Sequence, residues 1–461
     1  MTGGVGFDGL IIDLSTTSDR LEFNGQSGHG IIGYRSANER HIFFHDTEWL
    51  RLTAGSGNDR IKGTAGSDTI STGAGDDVVE GGTGQDTITN TGGHDRLDGG
   101  EGNDRFILVE TGSTVFGGSG DDRLTIDLSA VSDQVVFNGE NGHGILGYRT
   151  IDERHLFVRH YDVEEIVLTT GSGNDRIQGT VLRDVIQTQA GNDFVDAGAG
   201  DDMIVDGRGA NRLFGGAGND GITTTLYSAE VDGGLGEDWV RIEERVRLSD
   251  ATIDFSIGRA STGTIFRGIE SASVGLGSGN DTVIGGNLDY VIVDAGAGDD
   301  RVEGSTGGDR LNGEGGNDHI DGGEGNDTLS TGVGDDVAFG GDGKDFLDGG
   351  TQDDLLSGGN GADILVGGGG ADTFLWSTES PDQQGIDRIR DFETGGGDVI
   401  AFSDIAEQNT GIRNYADFLA ASTDTASGVY VAFNGSDTYG LLIEGVSLQA
   451  LTAGDVIFGV V

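Results

Sequence analysis

The chain has no cysteine, a single proline and only two lysines, Lys62 and Lys344. Without cysteine there is no disulfide scaffold and no zinc–thiolate site. Basic residues are scarce: 27 against 79 acids in 461 residues, for a formal charge of −52. That balance excludes nucleic acid as a partner, because phosphate binding needs a basic face. It also makes the chain repel itself and expand unless cations neutralise it. No apolar run reaches the roughly 18 residues of a transmembrane helix, so no membrane span is expected. The opening MTGGVGF has neither the basic nor the apolar region of a cleaved leader, so any export is expected to use another signal. Enzyme motifs are missing too. No His precedes a Glu, no Gly-x-Ser-x-Gly elbow occurs, and there is no Gly-Lys-Ser/Thr phosphate loop. No catalytic residue is expected.

What the chain has is glycine, 89 residues of it, and a great deal of aspartate. High charge with low hydrophobicity ordinarily means disorder. The alternative is order that depends on bound ions, and the spacing of the acids decides for it. Residues 54–125 divide into eight nonapeptides, beginning AGSGNDRIK, GTAGSDTIS, TGAGDDVVE and GGTGQDTIT. Residues 170–241 give eight more and 295–375 give nine, with isolated copies at 3–11 and 276–284. Position eight is a large apolar residue in 26 of these 27 units, the exception being Ala338; a flexible linker has no reason to keep it so. Period settles the fold of such a chain.

Glycines at positions two and four allow positive φ, so six residues can turn tightly and expose carbonyl oxygens. Asp at position six adds a carboxylate. An anionic, all-oxygen, irregular site suits Ca²⁺. The remaining three residues form a short strand with one side chain inward. Each repeat then buries one apolar side chain, worth roughly 1.5–3 kcal/mol. Ordering nine backbones costs on the order of 9–18 kcal/mol, so metal must supply much of the difference.

The repeat resembles the Gly-Gly-x-Gly-x-Asp-x-U-x unit of the RTX (hemolysin-type) family. The resemblance implies an all-β, parallel β-roll solenoid with two nonapeptides per turn, so that Ca²⁺ lies between turns eighteen residues apart. Metal ligands are then expected in columns. The first block supplies Asp59, Asp77 and Asp95, failing at Ser113, beside Asp68, Asp86, Asp104 and Asp122. The second supplies Asp175 and Asp193, giving way to Asn211 and Ala229, beside Asp184, Asp202, Asp220 and Asp238. Asp281 belongs to the isolated copy. The third is unbroken: Asp300, Asp318, Asp336, Asp354 and Asp372 beside Asp309, Asp327, Asp345 and Asp363. Adjacent pairs give 16 full sites, which would cancel 32 of the 52 negative charges.

Interludes separate the blocks, giving the expected order 1–53, 54–125 (block 1), 126–169, 170–241 (block 2), 242–275, 276–375 (block 3) and 376–461. The first two interludes are copies: GHGIIGYRSANERHIF at 28–43 matches GHGILGYRTIDERHLF at 142–157. All are expected to be wider, metal-free coils of the same solenoid. The repeated His29, Tyr34, Arg35, Glu39, Arg40 and His41, with His143, Tyr148, Arg149, Glu153, Arg154 and His155, suit a sugar acid or acid–base chemistry. Matching surface turns left by a duplication explain them with less. After residue 375, GIDRIRDFETGGGDVIAF resembles the C-terminal cap and type I secretion region of serralysin-like proteases, with Asp387, Asp391, Phe392, Gly397, Asp398 and Ile400 in place. The apolar tail after Asp455 is expected to carry the export signal, and 414–421 to form the one helix. The sequence thus reads as a secreted, extracellular Ca²⁺-binding repeat protein that meets an ABC exporter on its way out. Open beside it stand an extracellular polysaccharide-binding or polysaccharide-modifying protein and the C-terminal part of a larger toxin or hydrolase.

Overall fold

In the computed structural model, the described residues are 8–25, 29–34, 41–45, 47–109, 112–139, 144–149, 155–377 and 385–460. They form two compact units, Met1–Asp238 and Trp239–Val461. Each winds its nonapeptides into parallel strands that pair with the strand two repeats away. In the first unit Arg60–Lys62 pairs with Val78–Thr83, with Ile61 opposite Val79. On the facing sheet Thr69–Ser71 pairs with Thr87–Asn90, with Ile70 opposite Ile88. The turn of the roll is therefore two nonapeptides.

Strand alternation sends position eight inward, and position one of the next repeat after it. Ile61, Val79, Leu97 and Val115 stack from one sheet, and Ile70, Ile88, Phe106 and Leu124 from the other, all buried. In the second unit Ile320, Ala338 and Leu356 pair in one ladder, and Ala338 is as buried as its neighbours. The core is one side chain thick on each side.

The first two interludes differ from plain wider coils. Each inserts an antiparallel meander into one sheet, because residues freed from the glycine turns pair locally instead. Leu21–Asn24 pairs antiparallel with His29–Tyr34, which pairs antiparallel with His41–His45. Val135–Asn138, Gly144–Arg149 and His155–Tyr161 repeat the arrangement. The outer strands rejoin the roll in parallel, at Arg176–Gln178 on one side and Thr114–Ser119 on the other. In the second unit the meander shrinks to Thr252–Asp254, Arg259–Ala260 and Ile265–Arg267.

After the last repeat the second unit closes with a mixed cap. Ile386–Ile389 continues one sheet and Val399–Ser403 the other. Two short helices follow: α1, Asp404–Thr410, whose Ser403 side chain accepts from the Ala406 N–H, and α2, Tyr415–Ala421, capped by Asn414 in the same way. The sequence suggested α2 and missed α1. The tail is tied down as strand Val456–Val460, parallel to Val399–Ser403, with Phe458 stacked on Phe402. Covering a sheet end in this way removes an edge open to pairing with other chains.

Candidate metal centres

The glycine turns place the position-six aspartates on the inside of the roll. Asp59, Asp77, Asp86, Asp104, Asp122, Asp202, Asp220, Asp300, Asp318, Asp327, Asp345, Asp354, Asp363 and Asp372 are all buried. So are Asp68, Asp95, Asp175, Asp184, Asp193, Asp238, Asp281, Asp309 and Asp336. Within a column each carboxylate touches the next through one bond: Oδ1 accepts the backbone N–H of the Asp eighteen residues earlier. The bond is 2.8 Å from Asp68 to Asp86 and from Asp86 to Asp104, and 2.7 Å from Asp104 to Asp122. Block 2 repeats it from Asp184 through Asp202 and Asp220 to Asp238, and block 3 from Asp300 through Asp318, Asp336 and Asp354 to Asp372.

The other oxygen is the informative one. Oδ2 of Asp59, Asp86, Asp104, Asp122, Asp202, Asp220, Asp300, Asp318, Asp327, Asp345 and Asp354 is buried and accepts no hydrogen bond. Leaving one buried carboxylate oxygen bare costs several kcal/mol, and a row of them is untenable without a cation. Backbone oxygen completes the cradle. A methyl group built on Gly81 would run into both Asp86 Oδ2 and the Gly99 carbonyl, and one on Gly99 into Asp104 Oδ2 and the Gly117 carbonyl. Glycine keeps that space open. The donor set is hard oxygen throughout, and Ca²⁺ fits it. Burial, followed by repulsion from column neighbours, pushes Asp77 and Asp86 up to about 7 and Asp202 and Asp354 up to about 8.

Three expected ligands sit differently. Asp68, Asp184 and Asp309 each open a column after an interlude or isolated copy, and both their oxygens are already occupied. Position two there is Thr64, Thr180 or Ser305 in place of glycine, and none takes the positive φ that Gly82 adopts at 121°. Their backbone N–H groups turn to Oδ2, at 2.5, 2.6 and 2.5 Å, and their hydroxyls donate to Oδ1 at 2.8, 2.8 and 2.7 Å.

The column breaks are also filled. Asn90 donates its side-chain amide to Asp95 Oδ2 and to Ser113 Oγ, the latter at 2.9 Å. In block 2 a buried Asp206 takes hydrogen bonds from Thr188, Asn211, Thr224 and Ser228.

The columns run further than the eighteen-residue period reveals. Asp281 donates to Asp300 Oδ1 at 2.6 Å across nineteen residues. Asp363 and Asp372 donate to Asp387 and Asp398, both at 3.0 Å, across 24 and 26 residues. Those two end the columns, since Trp376 Nε1 donates to Asp387 Oδ2 and the Glu393 N–H to Asp398 Oδ2. Of the duplicated interlude cluster, Arg35, Glu39, Arg40, His143, Glu153 and Arg154 lie outside the described residues. His29, Tyr34, His41, Tyr148, Arg149 and His155 are described as strand backbone.

Comparison with known families matches the RTX calcium-binding nonapeptide repeat (four copies) to residues 53–88, 89–107, 169–204, 199–224, 294–329, 303–338, 321–356 and 339–374. Among solved structures, the crystal structure of extracellular lipase LipA from Serratia marcescens shares 18% identity over 64% of this chain and 45% of that one, with a TM-score of 0.17. The chain thus spans under half of that lipase, and the superposition is too slight to carry an argument. No curated protein matches. Repeat match, parallel roll and buried oxygen columns agree: over residues 53–107, 169–224 and 294–374 the chain is built of RTX calcium-binding nonapeptide repeats.

Proposed function

We propose that this protein is exported unfolded, loads Ca²⁺ into its columns outside the cell, and acts there in a structural or binding role. The observation that carries the reading is the row of buried, unpartnered Oδ2 atoms. Bound Ca²⁺ would supply the positive charge and oxygen coordination these atoms lack. The chain's own part is to hold one carboxylate oxygen by a backbone N–H and to aim the other, with a glycine carbonyl, at a common point. Thirteen of the sixteen column pairs keep that point open; the pairs opened by Asp68, Asp184 and Asp309 close it with Thr64, Thr180 and Ser305. Because the roll's core is thin, metal binding and folding are one equilibrium. Extracellular calcium modules work at roughly 10⁻⁴–10⁻³ M, which leaves such a chain unfolded inside a cell and folded outside. A type I ABC exporter suits an unfolded cargo, and the serralysin-like pattern at 387–400 supports that partner. Calcium titration followed by far-ultraviolet circular dichroism tests the reading; full β signal in excess EGTA would sink it.

An extracellular polysaccharide is the second reading. Among the described residues, Arg176, Phe194, Arg212 and Phe214 form a cation–π ladder on an outer sheet face, bordered by Asp196 and Asp232. A flat aromatic and charged strip of this kind suits sugar rings. Glycan-array binding lost on Phe194→Ala and Phe214→Ala would establish it.

A further inference from the structure

One bare oxygen lies where no second nonapeptide follows. Asp122 is fully buried, and its Oδ1 is taken by the Asp104 N–H. Its Oδ2 accepts nothing, yet eighteen residues later the chain is deep in an interlude. The next layer is instead Glu164, 42 residues on. The Asp122 N–H donates to Glu164 Oε2 at 3.0 Å, the bond that each column Asp makes to its successor. The Glu164 and Glu165 N–H groups return to the Asp122 carbonyl at 3.1 and 3.0 Å, so the two segments are locked in register. Two residues before Glu164, Asp162 takes a φ of 53°, in the left-handed region that the repeats fill mostly with glycine. A methyl group on Gly117 would run into the Asp162 carbonyl and Asp122 Oδ2, as one on Gly99 runs into the Gly117 carbonyl and Asp104 Oδ2. The same convergence of carbonyl and carboxylate is thus rebuilt from non-repeat sequence.

The geometry points to a calcium site at this seam, held by Asp122 Oδ2, the Asp162 carbonyl and the Glu164 carboxylate, with a duplicate held by Asp8 and Glu48. In the duplicate the Asp8 N–H donates to Glu48 Oε2 at 2.8 Å, the Glu48 N–H donates to the Asp8 carbonyl at 2.9 Å, and Asp8 Oδ2 is again buried without a donor. Glutamate replaces aspartate because the seam loop is shorter than a nonapeptide turn, and the added methylene makes up the reach. The family match leaves both seams out, stopping at 107 and resuming at 169 around the second. The interludes therefore carry metal at their exits, where the sequence suggests none.

This inference rests on the columns being calcium-loaded, and the test separates the two. Anomalous diffraction from calcium-loaded crystals of the full chain should show a peak between Asp122 and Glu164 as well as peaks along the columns. Column peaks with nothing at the seam overturn the seam site alone; empty columns overturn the proposed function as well. In solution, native mass spectrometry should count one ion fewer for Glu164→Ala, one fewer for Glu48→Ala and two fewer for the double variant. Glu165→Ala, which loses only the ion pair with Arg123, should keep the full count. An unchanged count in the double variant overturns the proposal.

Discussion

Asn90 aims its side-chain amide at Asp95 Oδ2, the oxygen that Asp86 and Asp104 in the neighbouring column leave bare. A neutral amide has replaced a cation, and Ser113 shares the same NH₂ group at 2.9 Å. This makes the break in the first column a built feature, and it can be tested. Ser113→Asp alone should gain no calcium, because Asn90 still fills the space. Asn90→Gly combined with Ser113→Asp should gain one ion. Native mass spectrometry decides, and a gain in the single variant would contradict the assignment.

The Thr and Ser clips make a second prediction. Replacing Thr64, Thr180 or Ser305 by glycine restores the repeat consensus and frees Oδ2 of Asp68, Asp184 or Asp309, while Oδ1 keeps the backbone N–H of Leu50, Ile166 or Val291. Each substitution should add one calcium. Each should also cost the chelated chain roughly 1 kcal/mol for every hydrogen bond lost. Isothermal titration that found the same stoichiometry in all three variants would argue against the clips.

Core and metal contributions should separate. Phe106 is fully buried and sits between Ile88 and Leu124 in the ladder. Phe106→Ala should lower stability in saturating calcium by about 3–5 kcal/mol without changing the number of ions bound. Denaturant titration and metal analysis on the same sample check both halves.

Acid should partly stand in for calcium. Burial raises the folded-state pKa of Asp86 and Asp345 to about 7 and of Asp354 to about 8, from an unfolded value of 3.8. A raised folded pKa gives stability that is complete below the unfolded value and lost as pH rises through the folded one. In EGTA the β signal should therefore grow as pH falls from about 8 to about 5. With calcium present, the midpoint concentration should rise over the same interval, since protons compete for the carboxylates. A chelated chain with a pH-independent spectrum would contradict this.

The nine-residue period made the roll and its columns legible, because position six and position eight repeat the same chemistry at the same distance. Features that break the period were invisible for the same reason. Asp387 and Asp398 extend the columns at 24 and 26 residues, where counting by eighteen stops. Thr64 looked like an ordinary variation at position two; its consequence depends on the direction of a backbone N–H, which side-chain spacing does not encode. Asn90 carried a usable signal, a polar residue at the inward position one of a repeat whose column neighbour eighteen residues on has Ser113 in place of Asp. Glu48 and Glu164 had none, since their partners lie about forty residues away. The meanders were missed because runs such as LEF and IIGY show strand propensity without showing direction. Helix α1 was missed because its one apolar turn is too short for a periodic pattern.

Away from the clips and the column breaks, each column Asp serves two layers, holding the previous one by Oδ1 and facing the next with Oδ2. Ions in such a row are mutually dependent, so the loss of one exposes its neighbour, and unravelling should spread along the block like a ladder in knitted fabric. The clips at Thr64, Thr180 and Ser305 interrupt that dependence with bonds that calcium does not control. They act as bulkheads: each block can empty, or be pulled apart, without draining the next.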